Sequence, residues 1–158
     1  MQATTPVDSN TPNSRFFPPA AQCLAGLMLL GLLATGSAQA VDLNLSIRNL
    51  GSDKGTVYVA LYDSADSFKS RGKGLAGQYI PVYGSTVTAT FRGLQPGRYA
   101  LSVFHDEHGN GKLDTNLLGL PTEPYGFSRD AVGTMGPPTF DAAAIDLKED
   151  SSIVINLH

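Results

Sequence analysis

Residues 94–114, Leu-Gln-Pro-Gly-Arg-Tyr-Ala-Leu-Ser-Val-Phe-His-Asp-Glu-His-Gly-Asn-Gly-Lys-Leu-Asp, decide the fold that this sequence predicts. Pro96 and Gly97 predict a type II turn, because proline presets φ at its second position and glycine permits a positive φ at its third. Residues 98–105 then alternate in a period of two, with apolar side chains on both faces, which predicts a central strand. Acidic and amide residues interrupted by glycines follow this strand. The stretch therefore predicts a turn, a buried strand and a loop rich in oxygen ligands.

Similar alternating patterns on both sides of this stretch predict further strands. They lie at residues 42–48, 56–62, 79–82, 86–91, 143–147 and 153–157. Residues 51–55, Gly-Ser-Asp-Lys-Gly, predict a hairpin loop between the first two strands. After the N-terminal apolar run no window keeps a helical period. Seven short strands joined by turns predict an all-β fold, an antiparallel β-sandwich of immunoglobulin-like or transthyretin-like type.

Two long segments interrupt this rhythm, at residues 63–77 and 116–140. Connections longer than about 12–15 residues are usually functional or disordered. The second segment, called the flap here (residues 116–140), contains aromatic and apolar side chains at Tyr125, Phe127, Met135 and Phe140. We therefore expect an ordered flap, whose apolar side chains either cap one end of the core or line a shallow pocket beside the loop that begins at Asp106.

An apolar run at residues 23–34, followed by Ala38-Gln39-Ala40, is typical of a secretory signal. The run is too short to cross a bilayer of about 30 Å comfortably. The sequence thus predicts a signal peptide at residues 1–40 and one β-sandwich domain at residues 41–158. We expect a periplasmic or extracellular protein with no stable membrane anchor after cleavage, an uncleaved anchor being the alternative.

Cysteine content and charge limit the chemistry of this domain. The one cysteine, Cys23, leaves with the predicted signal, so no disulfide, thiolate metal site or thiol nucleophile is expected. The chain carries 11 Lys and Arg against 14 Asp and Glu, a net charge of −3, without a basic stripe. Nucleic acid is therefore not expected as a partner.

The loop after the central strand matches the first half of a calcium-binding loop. Asp106 is at position 1, Asn110 at position 5, Gly111 at the position of the sharp turn and Asp114 at position 9, while Lys112 offers a backbone carbonyl. The sequence predicts Ca²⁺ bound by Asp106, Asn110, Lys112 and Asp114, with a structural rather than a catalytic role.

Two positions depart from the calcium template. His108 stands where an oxygen ligand is expected, and Leu117 stands where a bidentate glutamate normally closes the shell. His108 and Glu123 are therefore secondary candidates, Glu123 as a distant carboxylate that completes the shell. The competing interpretation is a hairpin turn at Gly109-Asn110-Gly111 with solvated acidic neighbours.

Two other functions stay open. His105 and His108 with Asp106 predict a transition-metal site or a metal-dependent enzyme, because imidazole with carboxylate suits zinc or copper. A hydrolytic group of His105, Asp106 and Ser128 is conceivable, although no nucleophile-elbow or zincin motif supports it. A small-ligand carrier would use Phe68 together with Tyr125 and Phe127. We expect that the protein is not an enzyme.

Three motifs together resemble the domain-of-unknown-function family 2141, whose members are small exported bacterial proteins. They are His-Asp-Glu-x-Gly-Asn-Gly-Lys-Leu-Asp at residues 105–114, Gly-Leu-Pro-x-Glu-x-Tyr-Gly-Phe-Ser at 119–128 and Gly-Pro-Pro-x-Phe at 136–140. The resemblance implies export and a β-sandwich but no activity, and the family usually has asparagine where His108 stands. More loosely, the strand that begins at Leu94 is similar to those of transthyretin-like and adhesin B-type modules. The leading expectation is an exported, non-catalytic β-sandwich of unassigned activity, with a calcium-stabilised loop and a binding surface on the flap for partners that the sequence does not identify.

Overall fold

Eight strands and two short α-helices make up the described part of the chain, which is residues 39–71 and 73–158 of a computed structural model. They are β1 (Val41–Arg48), β2 (Thr56–Tyr62), α1 (Ala65–Ser70), β3 (Ala76–Pro81), β4 (Thr86–Leu94), β5 (Gly97–Asp106), β6 (Tyr125–Phe127), α2 (Phe140–Ala143), β7 (Ile145–Leu147) and β8 (Ser151–Asn156). Nearly all of the predicted signal peptide lies outside the described residues. Within them, no helix has the length and apolar character needed to cross a membrane.

The strands form two sheets, which confirms the predicted all-β sandwich. One sheet has the order β4-β1-β8, and the other has the order β3-β2-β5-β6, with β7 paired to the start of β5. Every pairing is antiparallel except that of β1 with β8, which is parallel. β8 follows β7, which pairs with β5 in the opposite sheet. The chain therefore crosses between the sheets to reach β1, and no hairpin imposes an antiparallel pairing on β1 and β8.

The main core lies between the two sheets. Every second residue of β1 is buried, as the period of two requires when one face of a strand meets the core. β5 is buried along most of its length, and it lies between β2 and β6 in its sheet. The prediction of a central strand at residues 98–105 is therefore confirmed. The fully buried side chains of this core include Leu43, Ile47, Val57, Leu61, Leu101 and Ile155.

A second, smaller core covers one end of the outer face of the larger sheet. α1 and α2 bring Phe68 and Phe140 against Tyr62 of β2 and Ala100 of β5. Residues 63–77 were predicted as a loop, but they contain α1. This short helix buries Phe68 against the apolar side chains of the smaller core. The sequence predicts Ala143 in the strand at residues 143–147, but in the structure it is the last residue of α2.

Two predicted turns are wrong for one physical reason, which is that the chain changes sheets there. β1 and β2 lie in different sheets, so residues 51–55 form a crossing and not a hairpin. β4 and β5 also lie in different sheets, and Gly97 is the first residue of β5 and has no positive φ. A type II turn at Gly97 is therefore absent, and Gly93 takes the left-handed backbone instead, with φ 69°.

Candidate metal centre

The Asp106 loop (residues 106–114) winds around the carboxylate of Asp106, the last residue of β5. Its Oδ1 accepts N–H bonds from His108 at 3.1 Å, Gly109 at 2.6 Å and Asn110 at 3.2 Å. Its Oδ2 accepts the N–H of Gly111 at 2.7 Å. Gly109 and Gly111 have φ of 74° and 75°, the left-handed values that let successive N–H groups point inward. The carboxylate therefore organises the loop as a bound anion would.

These bonds decide the charge state of Asp106. Burial raises the pKa of this carboxyl, since its side chain is fully enclosed, but four backbone N–H bonds lower it further than burial raises it. The net pKa lies below its usual value. Asp106 therefore stays ionised in the interior, which is the stable form of a carboxylate with several N–H donors.

Glu123 joins the Asp106 loop to the flap. Its side chain is only 1% exposed. Its Oε1 accepts the N–H of Glu107 at 3.0 Å, and its Oε2 accepts the N–H of Asp114 at 3.0 Å. The N–H of Thr122 is also bonded to the carbonyl of Asp114, at 2.9 Å. One buried carboxylate thus ties both ends of the Asp106 loop to the same point.

His108 faces two carboxylates on this site. Its Nδ1 lies 2.9 Å from Oε1 of Glu123 and 3.2 Å from Oδ2 of Asp114. The hydrogen bond to Glu123 raises the pKa of His108, and the negative charges of Glu123, Asp114 and Glu107 act in the same direction against partial desolvation. A proton on Nδ1 is therefore held between two acceptors, in a position that a cation can also occupy.

His108, Asp114 and Glu123 form the candidate metal centre. One ligand atom from each lies within 4.8 Å of the other two. Two carboxylate oxygens and an imidazole nitrogen are ligands that zinc takes, and three protein ligands leave a fourth position open for water. Calcium, in contrast, takes six to eight oxygens. The geometry thus brings together the two secondary candidates of the sequence and one primary candidate.

Two of the remaining predicted calcium ligands, Asn110 and Lys112, are hydrogen-bonded beside this centre. Nδ2 of Asn110 donates to Oδ1 of Asp114 at 2.8 Å, and Oδ1 of Asn110 accepts the N–H of Lys112 at 2.9 Å. Lys112 is exposed. Asp106 is not part of the candidate metal centre, and both of its carboxylate oxygens accept backbone N–H groups. Calcium binding by Asp106, Asn110, Lys112 and Asp114 stays a prediction.

His105 and Ser128 are buried hydrogen-bonding residues, a role that no sequence pattern indicated. Nε2 of His105 donates to the carbonyl of Lys54 at 2.7 Å, and its Nδ1 accepts the N–H of Gly51 at 3.3 Å. This pairing requires the neutral tautomer. Oγ of Ser128 accepts the N–H of Leu101 at 2.9 Å and donates to the carbonyl of Ala143 at 2.6 Å. Both side chains are thus hydrogen-bonded to backbone groups, and neither is bonded to Asp106.

The aromatic residues considered for a ligand carrier pack against one another. Phe68 lies 5.9 Å from Phe127 and 6.0 Å from Phe140 between ring centroids, inside the smaller core. Tyr125 contacts His158 with the two rings tilted by 57° and their centroids 4.7 Å apart, while Met135 is 98% exposed. Of the two explanations for the flap, capping accounts for Phe127 and Phe140. A shallow depression of about 440 Å³ lies elsewhere, on the outer face of the β4-β1-β8 sheet.

Comparison with known proteins agrees with the resemblance in the sequence. A family model described as "Uncharacterized protein conserved in bacteria (DUF2141)" matches residues 45–155. No curated protein and no solved structure matches the chain. The match spans the sandwich from β1 to β8 and includes all three residues of the candidate metal centre.

Proposed function

The chain belongs to the DUF2141 family, and on that premise we propose that it is an exported, non-catalytic β-sandwich protein that binds one divalent cation. The cation is held by His108, Asp114 and Glu123, and it fixes the Asp106 loop to the start of the flap. The flap in turn presents a binding surface beside the loop.

One observation carries the cation: three ligand atoms of suitable type converge within 4.8 Å on a prearranged frame. Glu123 is positioned by two backbone N–H groups, and the loop that carries His108 is wound on Asp106. Ligands held by a supporting shell of hydrogen bonds lose little freedom when an ion binds. Binding by this cluster displaces a proton from Nδ1 of His108, because the nitrogen must offer its lone pair.

The ligand set favours a first-row ion such as zinc over calcium. An imidazole nitrogen is a regular zinc ligand, and calcium sites are built from oxygen. Calcium is the second candidate, because Asn110 lies 2.8 Å from Asp114 and could add an amide oxygen after a side-chain flip. The two ions make opposite demands on position 108, where zinc needs histidine and calcium needs an oxygen.

Thermal unfolding of the purified protein in EDTA, zinc or calcium tests this assignment. With a dissociation constant of about 0.1 mM and about 1 mM free ion, binding adds about 1.4 kcal/mol, or about 5 °C in melting temperature. We expect that shift with zinc, its loss in Glu123→Gln and its retention in Asp53→Asn, which alters an exposed carboxylate outside the site.

The variant His108→Asn separates the two ions. It places an amide oxygen at the third position of the loop, so we expect it to abolish the zinc shift and to strengthen any calcium shift. A calcium shift in the native protein that Asp106→Ala abolishes would favour the calcium ligand set instead. No shift with either ion would remove the cation from the function.

Export is supported by the apolar run at residues 23–34 and by Ala38-Gln39-Ala40, which are typical of a signal peptide and its cleavage site. We expect the full chain, expressed in a bacterium, to appear in the periplasmic fraction with Val41 as its first residue. N-terminal sequencing of that fraction measures this directly. A cytoplasmic, unprocessed chain would contradict export.

A further inference from the structure

The flap begins with a projecting turn that shows three leucines to solvent. This turn, called the leucine tip here (residues 116–120), carries Leu117, Leu118 and Leu120 with exposed fractions of 106%, 84% and 58%. Scattered exposed leucines are ordinary on soluble proteins, but three on five consecutive residues make one apolar protrusion. Residues 115–122, Thr-Asn-Leu-Leu-Gly-Leu-Pro-Thr, include no ionisable side chain.

Four of the five backbone N–H groups of the leucine tip are hydrogen-bonded within the tip. The N–H of Asn116 donates to the carbonyl of Leu120 at 2.8 Å, and that of Gly119 donates to the carbonyl of Asn116 at 2.9 Å. The side-chain Oδ1 of Asn116 accepts the N–H groups of Leu118 at 2.9 Å and Leu120 at 3.0 Å. Four N–H groups of the tip are thus paired without water.

A short stem holds the tip in this projecting position. Thr115 and Pro121 form an antiparallel bridge, and Thr122 donates to Asp114 at 2.9 Å. Below the bridge, the N–H of Asp114 is bonded to the buried carboxylate of Glu123 at 3.0 Å. Because the stem is fixed on both sides of the tip, the leucines are presented outward at little further cost in conformational entropy.

We propose that the leucine tip inserts into the interfacial region of a lipid bilayer. Lipid favours inserted backbone groups that are hydrogen-bonded internally, and four of the five N–H groups of the leucine tip are bonded in this way. A convex, uncharged protrusion enters a bilayer without a complementary groove, whereas a protein partner must supply one. The nearest ionisable side chains along the chain, Asp114 and Glu123, lie in the stem below. The inference rests on the proposed function only in taking the flap as the binding surface, and it does not require the cation.

Three leucines form one weak anchor, so association is reversible and depends on lipid concentration. Protein purified after expression of the full chain is mixed with phosphatidylcholine vesicles at millimolar lipid and floated on a density gradient. We expect a measurable bound fraction. The variant Leu117→Ser/Leu118→Ser/Leu120→Ser is expected to lower the partition coefficient at least about tenfold, since each leucine loses its apolar transfer energy. The control Val132→Ser/Met135→Ser changes two exposed apolar residues elsewhere in the flap and is expected to bind as the native protein does.

A tryptophan probe reports the depth of insertion, because the chain contains no tryptophan. In Leu118→Trp we expect a blue shift of emission on vesicles and quenching by brominated acyl chains. In Met135→Trp we expect neither. Native protein that fails to float, or a triple serine variant that floats as well as the native protein, would overturn the proposal. The groove of a partner protein would then be the binding site for the leucine tip.

The same gradients run in EDTA and in zinc separate this inference from the cation. We expect Glu123→Gln to lose the zinc-induced melting shift and still to float. The triple serine variant is expected to keep the melting shift and not to float. Native protein that shows the zinc-induced melting shift but does not float would disprove the lipid contact alone, and native protein that floats without a melting shift would disprove the cation alone.

Discussion

At the scale of single residues, two buried carboxylates do most to shape the candidate site. Asp106 collects the N–H groups of the loop that follows it, and Glu123 collects those at the two ends of that loop. An ionised carboxylate in the interior is stable only when such donors surround it. Both residues therefore act on structure before they act on any ligand.

Replacing Asp106 tests this role. Asp106→Asn removes the charge and turns one acceptor into a donor that faces backbone N–H groups. We expect a loss of about 3 kcal/mol in the free energy of unfolding, in the range for buried hydrogen bonds to a charged group. Urea denaturation in EDTA measures it. A loss under about 0.5 kcal/mol, the usual range for neutral surface changes, would contradict the central place of Asp106 in the loop.

The same residue predicts a dependence on pH. Its folded pKa is lowered, so the unfolded chain binds the proton more readily. The stabilisation is complete above the pKa of this carboxyl in the unfolded chain, about 3.9. It is lost as the pH falls through the lower pKa that the carboxyl has in the folded protein. We expect Asp106→Asn to flatten the acid limb of a stability curve recorded in EDTA. An equally steep acid limb in the variant would assign that limb to other carboxyls.

Gly55 is a third residue whose identity the fold requires. Its φ is 94°, and a Cβ there would lie 2.3 Å from the carbonyl oxygen of Asp106. Gly84 also has a positive φ, 130°, but a Cβ there would meet nothing within 4 Å. We expect Gly55→Ala to destabilise the protein by at least about 2 kcal/mol more than Gly84→Ala, because only the first adds a steric clash to backbone strain. Equal melting temperatures for the two variants would contradict this.

At the scale of elements, the two short helices matter more than their length suggests. α1 and α2 place Phe68 and Phe140 on the outer face of the larger sheet, and the same sheet gives its inner face to the main core. The sheet is therefore covered on both sides at one end. β5 accordingly has buried residues on consecutive positions, such as Tyr99, Ala100 and Leu101, and departs there from strict alternation.

Phe68→Ala tests the smaller core. We expect a loss of about 3 kcal/mol, the lower end for a buried phenylalanine, measured by chemical denaturation. The matched control is Phe104→Ala, which removes a half-buried ring stacked on Tyr58 at 4.7 Å. We expect less than half the loss there, because water already reaches the ring. A smaller effect for Phe68 than for Phe104 would show that α1 adds little to stability.

At the scale of the whole molecule, stability is expected to be graded from the centre of the larger sheet outward. β2 and β5 are paired on both edges, whereas β3 is paired with β2 on one side within its sheet. We expect the slowest amide hydrogen exchange in β2 and β5 and faster exchange in β3, because edges open at lower free energy. Mass spectrometry after deuterium labelling measures the order. Faster exchange in β5 than in β3 would contradict it.

Local patterns determined much of this architecture. The period of two located β1, β2, β4, β5 and β8, because burial of one face of a strand marks the sequence directly. β6 escaped notice because three residues are too short to show a period. The two misplaced turns have another cause: the sequence indicates where the chain bends, but it does not indicate which sheet the next strand joins.

The candidate site shows the same division. The spacing of Asp106, Asn110 and Asp114 was visible in the chain, and so was the glycine pattern that lets the loop wind. The position of Glu123 beside His108 depends on the stem of the leucine tip, which returns the chain to its starting point. Contacts across 15 residues of irregular chain carry no periodic signal.

The sequence by itself determined the strand pattern, the cysteine-free domain and the family, since each depends on residue type and short-range order. Only the tertiary structure decided which oxygens face backbone N–H groups, which face an imidazole, and which leucines remain uncovered. Those outcomes depend on how two sheets and a long connection pack together. Hydrogen bonds and burial are satisfied jointly by the whole chain, so no segment determines its own partners.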